Sequence, residues 1–214
     1  MLLNAIDAAK WFILNNTDVT SNNLDGNIKL QKLLYYSQAM NLVVYNKTPL
    51  FTDNIEAWER GPVISSVYTY YRYNNLVKDT LCGSNIDLGD IDKRILKIIN
   101  LIYGNKTGKQ LSELTHRELP WASLRTQIKQ RLNPVIAEDV LFDYYQPLKE
   151  IYVSYQNQDI DDFISDHING NIFTYKKSEL ELTDELINEL WTIGEDITDC
   201  SYFVYFEDNE LVVY

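Results

Sequence analysis

The residues nearest to acid–base chemistry lie in one short stretch, where Glu113, His116 and Glu118 stand close together. A carboxylate–imidazole set of this kind is the raw material of general acid–base catalysis. The same stretch also reads as Thr115-His-Arg-Glu118, a capping box in which a Thr hydroxyl and a Glu carboxylate satisfy free amides at a helix start. Capping needs fewer assumptions, and nothing else backs catalysis. The only other histidine is His167, and no GxSxG, Walker, HExxH or GxGxxG pattern occurs. Cys82 and Cys200 stand alone, without a CxxC or CxxH partner, so a zinc site is not expected and nothing demands an oxidising compartment. The chain is therefore expected not to be an enzyme, with no catalytic residues, no cofactor and no metal.

Two further groupings carry chemistry of recognition. In Trp58-Glu-Arg-Gly61-Pro62-Val63 a Gly-Pro junction follows an aromatic and sets a rigid angle between an extended segment and a helix. It reads as a structural corner, or as a partner groove walled by Trp58 and bordered by Arg60. Glu56 and Glu59 flank Trp58 and read as surface or partner-facing charges. In Lys29-Leu-Gln31-Lys32-Leu-Leu-Tyr-Tyr36 the two lysines stand three apart and share a helical face that Tyr36 continues. Spacing alone makes that face a solvated stripe opposite a leucine seam.

The elements that must position these residues are mostly helical. Apolar periodicity predicts an amphipathic helix over residues 3–15, a loop from Asn15 through Gly26, and a long helix over 28–45 that is apolar on more than one face. Ile55–Glu59 alternates as a strand or extended turn. Pro62 suits the first turn of a helix to about Tyr73. Further helices are expected at about 90–103, at Lys109–Leu114, from Pro120 onward, and at about 136–146, the last closed by Pro147. Beyond it Ile151–Tyr155 alternates like a strand. Asn169-Gly170 predicts a hairpin turn between Phe163–Ile168 and Ile172–Tyr175. Thr183 opens an acidic helix to about Ile193, and Tyr202–Phe206 with Leu211–Tyr214 form a terminal hairpin. The fold class is α+β, mainly α-helical: a helical domain with a small β element at 1–150, and an acidic α+β module at 151–214 packed on it.

Charge separates the two parts more sharply than composition does. Residues 1–150 hold 17 basic and 16 acidic side chains, whereas residues 151–214 hold two basic and 15 acidic ones, within a net charge of -12. A field of that sign repels phosphate and attracts basic surfaces, so direct nucleic-acid binding is disfavoured. The carboxylates concerned include Asp159, Asp161, Asp162, Asp166, Glu179, Glu181, Asp184, Glu185 and Glu189. Tyr is abundant, with 16 copies, and tracks with a general richness in Asn, Ile and Lys rather than with a special aromatic surface. The N-terminal residues have no basic region and an early Asp7, unlike a signal peptide, and no apolar run approaches a membrane span. A cytoplasmic location is expected.

Three segments together carry a resemblance. Lys29-Leu-Gln-Lys-Leu-Leu-Tyr-Tyr36, then Phe51 with Ala57-Trp58-x-x-Gly61-Pro62-Val63, then Leu111-Ser-x-Leu114-Thr115-His116-x-Glu118-x-Pro120-Trp121, resemble the Panacea domain of SocA-like antitoxins over roughly residues 4–147. The resemblance implies a helical domain with a small β element, an adaptor that holds a toxin protein inactive, and occurrence on phages and prophages. It implies Lys29, Gln31, Lys32, Tyr36, Trp58, Gly61, Pro62, Thr115, His116, Glu118 and Trp121 as framework or partner-binding positions. Residues 151–214 lie outside it. The expected function is an antitoxin-type protein that neutralises a toxin with a basic surface by direct contact, as in a type II toxin–antitoxin system. The alternative is a phage-encoded inhibitor of a host defence nuclease, with the acidic module as a nucleic-acid mimic.

Overall fold

The computed structural model describes residues 3–83, 86, 88–193, 200–208 and 210–214. The chain divides into two compact units, Met1–Gln156 and Asn157–Tyr214, and the architecture is mainly helical α+β.

The first unit is organised around one helix. α1 (Ala5–Asn15) starts at Asn4, whose side chain accepts from the Ile6 amide. A 3-10 turn at Thr17–Ser21 occupies the middle of the stretch expected to be loop. α2 (Leu24–Val44) then begins four residues earlier than its apolar pattern, because Asn23 caps it by accepting from the Gly26 amide at 2.8 Å. Asn46 and Lys47, both with left-handed φ, end it. α2 is buried on all sides from Lys29 to Val43. A helix with no solvent face must be covered all round, and the rest of the unit does this.

A small hairpin, β1 (Glu56–Trp58) and β2 (Gly61–Val63), is antiparallel, with Trp58 opposite Gly61. Here the expectation for Pro62 fails. It pairs with Ala57 in β2, and the next helix, α3 (Ser65–Tyr73), starts three residues later. In a two-stranded ribbon the missing Pro N–H can face outward at no cost. α4 (Leu76–Leu81), α5 (Asp90–Tyr103), α6 (Gly108–Arg117) and α7 (Leu119–Ala122) follow, with α5 and α6 packed directly on α2. The reciprocal capping box lies at Thr107 and Gln110, at the start of α6. It does not lie at Thr115–Glu118. Thr115 is buried inside α6 and donates to the Ser112 carbonyl at 2.9 Å, and Glu118 turns inward.

α8 (Arg125–Lys129), α9 (Glu138–Tyr144) and α10 (Pro147–Tyr155) complete the unit. Pro147 opens α10 rather than closing α9, since Pro is tolerated in a first helical turn where no N–H is needed. Ile151–Tyr155, expected as a strand, is the second half of that helix. Its last carbonyls, Tyr155 and Gln156, accept from the Arg94 guanidinium, the Gln156 bond being 2.8 Å. A cation at a helix C-terminus satisfies carbonyls that have no partner within the helix.

The second unit is a four-stranded sheet in the order β3-β4-β5-β6. β3 (Phe163–Ile168) and β4 (Asn171–Lys176) are joined by Asn169-Gly170, both with positive φ, as the hairpin signal requires. β5 (Ser201–Glu207) and β6 (Glu210–Val213) form the terminal hairpin, whose Asn209 lies outside the described residues. Sequence alternation did not reveal that β4 and β5 pair in parallel. Parallel neighbours need a crossover, and the acidic helix α11 (Asp184–Ile193) lies between them in the chain. Its Leu186 and Leu190 are buried with Phe173, Tyr175 and Val204. Among the described residues no helix is long and apolar enough to cross a membrane.

Candidate functional site

The polar side chains of α2 create the site. Buried polar groups are mostly hydrogen-bonded, and Lys29, Gln31, Lys32, Gln38 and Asn41 on this helix each tie down a different neighbour. Lys29 is fully buried and bonds Asp18 and the Gly104 carbonyl, each at 2.5 Å. Gln31 accepts from the Ile64 amide at 2.8 Å. Gln38, which sequence reasoning did not single out, accepts from the Leu50 and Phe51 amides and donates to the Phe51 carbonyl. The solvated lysine stripe is thus overturned: both lysines are inside because the 3-10 turn, the hairpin and the α5–α6 corner close over them.

Lys32 has the least company. Its Nζ donates to the Pro62 carbonyl at 3.0 Å, its only hydrogen bond among the described residues. Burial lowers its pKa from 10.5 to about 7. Gly61 explains how it fits. A Cβ on Gly61 would stand 2.5 Å from Lys32 Cε and 2.8 Å from Thr115 Oγ1, and its φ of +102° is itself a glycine conformation. The hairpin corner is therefore glycine so that the lysine tip and the Thr115 hydroxyl can lie beneath it.

Two further clusters brace the hairpin. Trp121 donates its indole N–H to the Trp58 carbonyl at 2.8 Å. The His116 ring stacks on Trp121 with centroids 4.0 Å apart. The Arg125 guanidinium lies 5.5 Å from the Trp121 ring centroid and donates to the His116 carbonyl at 2.7 Å. Burial first, and then the nearby Lys32 charge, hold the His116 pKa below its usual value. Glu118, expected to cap a helix or act as an acid, instead accepts from Tyr36 (3.1 Å to each oxygen) and from Tyr145 (2.6 Å). The Tyr145 and Tyr35 hydroxyls are hydrogen-bonded at 3.0 Å, and Tyr103 stacks flat on Tyr36 at 4.2 Å. Burial raises the Glu118 pKa, with the two tyrosine bonds pulling the other way. Several of the tyrosines are thus spent on a buried hydroxyl network around one carboxyl group.

Above this framework lies a groove of about 370 Å³, lined by Leu24, Ile28, Gln31, Lys32, Trp58, Glu59, Arg60, Val63 and Tyr68. Trp58 and Tyr68 form its aromatic wall, with ring centroids 5.0 Å apart. Trp58 is half-buried and is held by its indole N–H to Glu56 at 2.7 Å, while Arg60 and Glu59 are exposed at the rim. Of the residues expected at a site, Gln31, Lys32 and Trp58 meet in this groove. Gly61, Pro62, Thr115, His116 and Trp121 support it from behind, and Lys29, Tyr36 and Glu118 belong to the core. Tyr68 was missed; its signal is the aromatic spacing of α3, which periodicity assigns simply to a helix.

In the second unit the carboxylates do several jobs. Asp162 accepts from the Ser178 amide and hydroxyl, and Asp166 accepts from the Tyr175 hydroxyl at 2.6 Å, so both are spent on the fold. Asp159 accepts from the Asp161 amide at a 3-10 turn, and Glu179 pairs with Lys176 at 2.8 Å. Asp184 and Glu185 occupy the first turn of α11, where negative charge is favoured by the helix dipole. Asp161, Glu181, Asp184, Glu185 and Glu189 are exposed. Among the described residues no group of His, Cys, Asp and Glu is arranged to hold a metal ion.

Residues 30–122 match the family model described as antitoxin SocA-like, Panacea domain. No curated protein and no solved structure matches it. The family supports an antitoxin-like role in general terms and a protein as partner.

Proposed function

We propose that the chain neutralises a toxin protein by direct, non-catalytic contact, as the antitoxin of a type II pair. The observation that carries this reading is the groove: Trp58 and Tyr68 form an aromatic wall, and Arg60 stands at the rim. Trp, Tyr and Arg are the side chains that dominate binding energy at protein interfaces, because each combines a large apolar area with a polar handle. The groove is fixed before any partner arrives, since the Trp58 carbonyl is bonded to Trp121 and its indole to Glu56. A preorganised wall loses little side-chain entropy on binding. The acidic second unit supplies long-range attraction to a cationic toxin surface, which speeds encounter and fixes register.

Co-expression with the product of the neighbouring gene tests this. The wild-type chain should rescue growth and co-purify with that product at moderate salt, and Trp58→Ala should lose both while remaining folded. Rescue that is indifferent to Trp58 would refute the groove as the contact. Absence of both rescue and complex would refute the antitoxin reading.

A further inference from the structure

We propose that the groove reads an acidic side chain of the partner: a peptide segment carrying Asp or Glu beside an apolar residue, its carboxylate on Lys32 and its apolar neighbour on Trp58 and Tyr68. This rests on the groove being where the partner docks, and adds what it selects.

Lys32 has an incomplete set of hydrogen bonds. An ammonium group has three N–H donors. Lys32, 1% exposed, uses one of them on the Pro62 carbonyl. No carboxylate is paired with it among the described residues, whereas buried Lys29 has both Asp18 and a carbonyl. A buried cation without a counter-ion is costly and is normally either paired or neutralised. The chain nevertheless accommodates it with a glycine at position 61, where a Cβ would collide with Lys32 Cε. A methionine at position 32 would reach about as far without bringing a charge into the interior. Lys32 is also one of the residues lining the groove, which places the side chain beside the space a ligand would fill.

Charge selects the ligand class. The groove offers one buried ammonium and one exposed guanidinium, with Glu59 on the same rim, which suits a single negative charge. A polyphosphate or nucleic-acid backbone would bring several charges against a protein of net charge -12. The aromatic wall calls for an apolar neighbour to that one charge. The volume of about 370 Å³ is at the small end of ligand pockets, sufficient for a few side chains.

The ammonium is also poised to report its ligand. With its pKa near 7 in the free protein, an incoming carboxylate stabilises the charged form, so binding takes up a proton. His116 on α6, whose pKa is lowered, and Glu59, Arg60 and Tyr68 of the groove lining are ionisable groups near Lys32 among the described residues.

The test uses a random displayed-peptide library selected against the full chain, with the Trp58→Ala chain as counter-selection. Enriched peptides should share an acidic position next to an apolar one. For such a peptide, Glu→Gln in the peptide and Lys32→Met in the protein should each weaken binding roughly 10- to 100-fold, the range for a charge-assisted bond. The double change should cost no more than either alone. Calorimetry near pH 7 in buffers of different ionisation enthalpy should show proton uptake that disappears in Lys32→Met. Peptides that need Trp58 but ignore the acidic residue or Lys32 would overturn this inference and leave the groove reading standing. Acidic peptides that depend on Arg60 and not on Lys32 would also overturn it. A selection in which no peptide depends on Trp58 would overturn both.

Discussion

Replacing Lys32 by Met should make the protein more stable at neutral pH, and the advantage should vanish as the solution becomes alkaline. The lysine pKa falls from 10.5 to about 7 on burial, and each pKa unit corresponds to about 1.4 kcal/mol. Keeping this group in the folded chain at pH 7 therefore costs about 4 kcal/mol relative to the unfolded chain. Met removes that cost but leaves the Pro62 carbonyl without its donor, a loss of about 1–3 kcal/mol. The net expectation at pH 7 is a gain of about 1–3 kcal/mol. The sign with pH follows from proton counting. Between about 7 and 10.5 the unfolded chain holds a proton that folded Lys32 has released, so wild-type stability rises with pH and is lost again as pH falls towards 7. From pH 7 to pH 9 the wild type should gain about 2 kcal/mol on the variant. Urea unfolding followed by tryptophan fluorescence, on both chains at several pH values in that window, measures it directly. The buried tyrosines, whose raised pKa values act with opposite sign above about pH 10, are common to both chains and cancel in the difference. Parallel stability profiles, or a variant less stable by several kcal/mol at pH 7, would refute the claim that Lys32 is a desolvated cation.

Gly61→Ala should destabilise the chain by about 2–4 kcal/mol, from the left-handed φ and the collision with Lys32 Cε. Combined with Lys32→Ala, which clears part of that space, it should cost less than the sum in a double-mutant cycle of chemical unfolding. Glu118→Ala should cost about 2–4 kcal/mol, because the Tyr36 and Tyr145 hydroxyls lose their acceptor inside the core. Glu118→Gln should cost far less. The folded pKa of Glu118 is raised, so its favourable neutral form is complete below pH 4.5 and lost as pH rises through the folded value. The stability difference should accordingly move in favour of Gln over that interval in thermal melts. If the exposed carboxylates of α11 steer a cationic partner, Glu185→Lys with Glu189→Lys should slow association with the toxin. It should also flatten the dependence of the on-rate on salt, measured by stopped flow, while leaving dissociation nearly unchanged.

Local pattern alone was enough to place α1, α2, α5 and α11, the Asn169-Gly170 hairpin and the terminal hairpin. A 3.6-residue or two-residue apolar repeat and a turn that needs positive φ are properties of neighbouring residues. The charge step between the two units is likewise a matter of counting, and three short motifs in order were sufficient to point to the Panacea domain. What lay beyond sequence was the environment of polar residues. Lys29 and Lys32 have the spacing of a solvated stripe, and only the arrival of Asp18, Gly61–Pro62 and Gly104 buries them. Thr115 and Glu118 have the spacing of a cap, yet tyrosines far along the chain claim the carboxylate. Pro62 fits a first helical turn as well as a ribbon, and its pairing with Ala57 decides which. The parallel match of β4 to β5 joins segments separated by a whole helix. In each case the deciding energy is desolvation or pairing with a distant partner, which no local pattern encodes.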